Sequence, residues 1–142
     1  MRFMMLMIPK GYETAAPGTM PDAKAVEAMM KYNEALQKAG VLLTLDGLHP
    51  PSMGARVSFS GGKPTVTDGP FIETKEVLGG YWMIQVKSKE EAVEWARRCP
   101  ASDNEVIEVR QVQEFSDFPA DVQEAAAGFP EMQAQSQQRQ GS

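Results

Sequence analysis

An α+β domain built on an antiparallel sheet is the fold class this sequence predicts, and three observations predict it. Runs of strand length recur at residues 3–8, 41–45, 81–86 and 105–112. Two amphipathic stretches of helix length, one ending at Gly40 and one between Ser88 and Pro100, separate them. Between Ala55 and Thr67 a polar–apolar alternation is interrupted by Gly61-Gly62, a two-residue hairpin signal. With right-handed crossovers, strand, helix, strand, hairpin, strand, helix, strand gives a βαββαβ sheet with both helices on one face. That is the ferredoxin-like arrangement with an extra hairpin. The opposite face has no cover in this plan. Met4, Leu43, Trp82 and Ile84 suggest that it is not wholly polar, so a second copy is its natural cover and a homodimer is expected.

Taken in order, Phe3 to Ile8 is a continuous apolar run that suits a strand buried on both faces, although its methionines also fit a helix. It is shorter than the apolar core of a secretory signal, so a first strand is the better reading. Residues 11–20 form a loop long enough to suggest a functional role. A helix is expected from near Pro21 to about Ala39, with a Thr19/Asp22 capping box, Gly40 as its stop and an apolar stripe of Val26, Met29, Met30, Leu36 and Ala39. Asn33 lies on that stripe beside Tyr32, either satisfied locally or in contact with a ligand. After the second strand, Asp46-Gly47-Leu48-His49-Pro50-Pro51 breaks the chain. Pro64 suggests that the second hairpin arm lies at an edge or is short. Ser88 with Glu91 caps the second helix, which stops before Pro100. A short helix over 119–127 is followed by a glutamine-rich tail, so residues 1–115 read as the domain and 116–142 as an appendage.

Composition narrows the classes. At 42% hydrophobic and 23% charged the chain is an ordinary globular one, and its 142 residues suit a single core. A net charge of −5 with no basic run argues against nucleic acid, and no apolar run reaches the ~20 residues of a membrane span. Cys99 is the single cysteine, which leaves no intrachain disulfide or cysteine-based zinc site and makes a reducing cytoplasm the expected location. His49 is the single histidine, so no multi-histidine metal centre is expected, and no motif calls for a cofactor.

The central stretch Thr67 to Glu76 carries the strongest local signal. In Asp68-Gly69-Pro70, Gly69 would allow positive φ, and the Asp68 carboxylate would fold back onto nearby backbone N–H groups. Asp68-Gly69-Pro70-Phe71, Glu73-Thr74-Lys75-Glu76 and Leu78-Gly79-Gly80-Tyr81, with Lys31-Tyr32-Asn33-Glu34 and Gly47-Leu48-His49-Pro50 upstream, resemble the YCII-related proteins of the DGPF type over roughly residues 1–115. The resemblance implies a bacterial protein with a ferredoxin-like α+β fold that pairs into a dimer like the α+β-barrel dimers. It also implies a link to extracytoplasmic-function sigma factors. In the shorter YCII proteins a histidine on the first helix, about three turns before the glycine that ends it, pairs with an aspartate in a proposed active site. Counted back from Gly40 that position holds Met29, so the pair is not carried over.

Two function classes follow. One is a dimeric binding module that takes a small polar molecule, or a regulatory protein, in a cleft near the Asp68 loop. Its candidate ligand contacts are Tyr32, Asn33, Arg56, Phe71, Glu73, Lys75 and Tyr81. The other is a small hydrolase or isomerase with Asp68 as general acid or base, partnered by His49, in a pocket between the first helix, the long loop and the Asp68 loop. The bland alternatives are an Asp68 that caps a turn, a solvated His49, and charges worth only ~0–1 kcal/mol per surface pair.

Overall fold

The computed structural model describes residues 1–71, 74 and 76–132. Its elements are β1 (Arg2–Ile8), α1 (Ala23–Lys38), β2 (Leu42–Gly47), β3 (Ala55–Ser60), β4 (Lys63–Asp68), β5 (Gly80–Gln85), α2 (Lys89–Arg97), β6 (Val106–Gln111) and α3 (Ala120–Ala126). The fold is α+β with antiparallel sheets. Four strands lie in the order β2-β5-β1-β6, every neighbouring pair antiparallel, and β3 with β4 makes a separate two-stranded sheet. Among the described residues no helix is long and apolar enough to cross a membrane.

Alternation along the central strands sets the core. Phe3, Met5 and Met7 of β1 and Trp82 and Ile84 of β5 point to one face, where Tyr32 and Leu36 of α1 and Ala92 of α2 cover them. Each such large side chain, fully buried, contributes about 1.5–3 kcal/mol. The alternate positions Met4, Leu6 and Ile8 are only half-buried, so β1 is not the doubly buried strand its apolar run implies. Trp82 and Ile84 also belong to the helix-covered face and not to the open one. The register places Tyr81 and Met83 on the open face, opposite Leu6 and Met4.

The first helix begins later and turns further than its pattern suggests. Asp22, not Thr19, is the N-cap, accepting the Ala25 N–H at 2.8 Å, while the Thr19 hydroxyl donates to the Ala16 carbonyl at 2.6 Å. The inward face is Met29, Tyr32, Asn33 and Leu36, leaving Val26 and Met30 42% and 61% exposed. Tyr32 and Asn33 draw this face inward because their polar tips find partners there. The Tyr32 hydroxyl donates to the Trp95 carbonyl at 2.6 Å, and the Trp82 indole N–H donates to Asn33 Oδ1 at 2.7 Å. The Tyr32 and Trp82 rings meet edge to face at 5.6 Å, a contact worth about 0.5–1.5 kcal/mol beyond burial.

The remaining local signals give the expected elements with small shifts. β2 continues through Asp46-Gly47 because both pair with β5. Ser88 caps α2 by accepting the Glu91 N–H at 3.1 Å. α3 starts behind Pro119, within the expected span, and residues 115–117 form a separate 3₁₀ turn in which Asp117 accepts the Glu114 N–H at 2.8 Å. Gly61 and Gly62 both have positive φ, 57° and 77°, as a two-residue hairpin turn requires. Every residue of this hairpin is exposed.

Candidate functional site

The site is assembled where β2 runs out. Leu48 N–H donates to the Gly79 carbonyl at 2.9 Å and extends the β2–β5 ladder by one rung. The chain then passes through the fully buried Pro50 into a 3₁₀ turn over Pro51–Met53. The long loop braces this segment from behind. Tyr12 donates its hydroxyl to the Leu48 carbonyl at 2.5 Å, and Ser52 donates to the Ala15 carbonyl at 2.9 Å.

Gly69 locks the central loop onto that turn. Its N–H donates to the Gly54 carbonyl at 2.9 Å, and a Cβ placed on it would lie 1.7 Å from the Pro51 carbonyl oxygen. Glycine is therefore required here by close backbone approach. It is not among the positive-φ residues, contrary to what the turn signal implies, and the Gly69–Pro70 peptide is cis. Loop and turn flank an open cleft of about 500 Å³ whose lining includes Leu48, His49, Met53, Arg56, Phe71 and Leu78. Glu76 and the buried Val77 complete the wall formed by the returning chain.

Arg56 is the organised cation of this cleft. Its guanidinium carbon lies 4.3 Å from the Phe71 ring centroid, and Nη1 donates to Thr74 Oγ1 at 2.6 Å. Among the described residues no carboxylate pairs with it. Stacking uses the face of the guanidinium and leaves most of its five N–H donors at the edge.

The other expected site residues do not gather here. Asp68 is not part of the lining, although its cross-strand partner Ala55 is, as is Arg56, which pairs with Thr67. Cross-strand partners share a face, so Asp68 and Arg56 project from opposite faces. The Asp68 carboxylate makes no hydrogen bond among the described residues, neither the expected turn back to its own backbone nor one to His49. His49 is exposed at the cleft wall. Tyr32 and Asn33 belong to the core network, where burial pushes the Tyr32 phenol far up. Tyr81 donates to Asp46 Oδ2 at 2.6 Å on the open sheet face, and that bond raises its pKa. The first helix contributes nothing to the lining. Glu73 and Lys75, and the tail at 133–142, lie outside the described residues.

Leu48, Met53 and Leu78 line the cleft but were not among the expected ligand contacts; Leu48 and Leu78 entered only within the strings that carry the family resemblance. The available signal was apolar side chains inside Pro- and Gly-rich segments, where no helical or strand period offers to bury them.

The family model of the YCII-related domain matches residues 1–116. The chain belongs to the YCII-related family. It is also similar to an uncharacterized protein of Rhizobium meliloti (strain 1021), 41% identical over 78 residues, which is 55% of this chain. The match spans 58% of the length of that relative. The YCII-related domain therefore contains all of the cleft, the central loop and the four-stranded sheet.

Proposed function

We infer that this YCII-related chain is a dimeric binding protein of the DGPF type that holds a small polar molecule in the cleft lined by residues 48–51, 53–56, 71 and 76–78. The observation that carries the reading is the cleft itself. Its volume of about 500 Å³ falls in the range of small-ligand sites, and its walls are largely apolar with a few polar groups. The strand order β2-β5-β1-β6, with both helices on one face, supports a ferredoxin-like plan. Met4, Leu6, Tyr81 and Met83 on the open face support closure by a second copy, and the same cleft edge would serve a regulatory protein. Catalysis by Asp68 with His49 draws no support from the geometry, because Asp68 lies off the cleft.

A thermal-shift screen against small polar metabolites tests the reading, with wild-type protein beside Met53→Trp, which fills the cleft. Hits should raise the wild-type Tm and leave the variant unmoved. Equal shifts in both proteins would place binding elsewhere and end this assignment.

A further inference from the structure

We propose that the cleft is specific for an amphipathic organic anion, with a single carboxylate or phosphate head held edge-on by Arg56 and an apolar body laid against Leu48, Met53 and Leu78. The proposal rests on the reading of the cleft as a ligand site and names what that ligand is.

Arg56 is oriented before any ligand arrives. A free arginine loses side-chain entropy when it orders around a ligand. Here the Phe71 ring at 4.3 Å and the Thr74 hydroxyl at 2.6 Å already hold the guanidinium in one orientation. Among the described residues no carboxylate lies within ion-pair distance of it. A planar fork held in this way matches a two-oxygen anion through parallel N–H bonds, which a lysine cannot do.

Leu48, Met53 and Leu78 are 41%, 52% and 42% exposed, and all three line this one cleft. Exposed apolar side chains scattered singly need no explanation, but convergence in a concavity beside a prepared cation does. A wholly hydrophilic anion would leave that surface wet, and a neutral apolar molecule would leave the remaining Arg56 donors to water. Glu76 lies in the same wall and opposes a ligand charged along its whole length, which favours one head group and an uncharged body.

The test is titration of the full chain, followed by ¹H–¹⁵N NMR, with sodium hexanoate, hexyl phosphate, acetate and the neutral hexanamide. Hexanoate or hexyl phosphate should shift the amides of Leu48, Met53 and Phe71, and whichever head binds tighter identifies the anion. Acetate and hexanamide should each bind about tenfold or more weakly than hexanoate, the scale of one charge-assisted contact or a few buried methylenes. Arg56→Gln should erase the preference for acid over amide. Arg56→Lys, which keeps a point charge, should retain part of it. Equal affinity for hexanoate and hexanamide, with both displaced by Met53→Trp, overturns the anion inference while leaving the cleft a ligand site. An undiminished acid preference in Arg56→Gln overturns it as well. If none of the four probes shifts the cleft amides at up to about 20 mM, this proposal and the cleft reading fall together.

Discussion

Gly69 shows how much one residue can decide. Its missing side chain lets the central loop lie against the Pro51 carbonyl, and Phe71, two residues on, supplies the ring beneath Arg56. Gly69→Ala would place a methyl inside that contact, so loop and turn must separate. We expect a stability loss of about 1–3 kcal/mol in urea titrations, the usual cost of overpacking, together with loss of ligand-induced shifts. Wild-type stability in this variant would show that the two backbones do not touch. Cys99 gives a second residue-scale prediction. Burial, reinforced by Glu105, pushes its thiol up to about 11 from an ordinary 9.0, and burial raises the Tyr32 phenol from its ordinary 10.0. Above the ordinary values the unfolded chain loses these protons while the folded chain keeps them. Stability should therefore hold to about pH 8, fall from about pH 9 and steepen once tyrosine ionises. Cys99→Ala should remove the early part of that decline. A urea midpoint unchanged between pH 8 and pH 11 would contradict the assignment.

At the scale of elements, the segment after β6 is fastened to the first strand by one buried pair. Arg2 Nε and Nη2 reach the two oxygens of Glu114 at 2.6 and 2.9 Å, with the side chains only 8% and 14% exposed, and the Val112 N–H donates to the Arg2 carbonyl at 2.9 Å. The fork geometry is the strong form of such a pair. Removing one partner leaves a buried charge, so Glu114→Ala should cost about 3–5 kcal/mol, and Arg2→Met with Glu114→Met should recover much of it. A double-mutant cycle in urea measures the coupling, and additive losses would show that the pair is not a unit. The β3–β4 hairpin is a different case. Its register puts Val57, Phe59, Pro64 and Val66 on one face and Arg56, Ser58, Thr65 and Thr67 on the other. The apolar face is open, with Phe59 77% and Val66 66% exposed. An isolated two-stranded hairpin is marginally stable in water, so its tether through Gly54 and Gly69 matters to its position.

For the whole molecule, the open apolar sheet face and the uncovered hairpin face make the assembly the decisive quantity. If a second copy covers the open sheet face, sedimentation equilibrium should give twice the 15.6 kDa of one chain at micromolar concentration. Met83→Lys should shift the mass toward the monomer, because an unpaired charge cannot be buried cheaply at the centre of that face. A wild-type monomer at those concentrations would remove the dimer from the proposed function.

Much of the architecture was legible before any coordinates. The four main strands, the helices, the Gly61-Gly62 turn and the Ser88 cap follow from short-range rules of period, turn chemistry and capping, which act within a few residues. The hairpin register was legible too, since a two-residue turn after Ser60 pairs Ala55 with Asp68. That parity alone separates Asp68 from Arg56. Tertiary structure alone decided which face of α1 turned inward, because Tyr32 and Asn33 needed Trp95 and Trp82, far along the chain, to satisfy their polar tips. It also decided why residue 69 is glycine, through a carbonyl 18 positions earlier whose approach no local rule encodes. The meeting of Arg56, Phe71 and Thr74 has the same origin. Local free energies select elements, but a site forms only when the core fixes the relative positions of their ends.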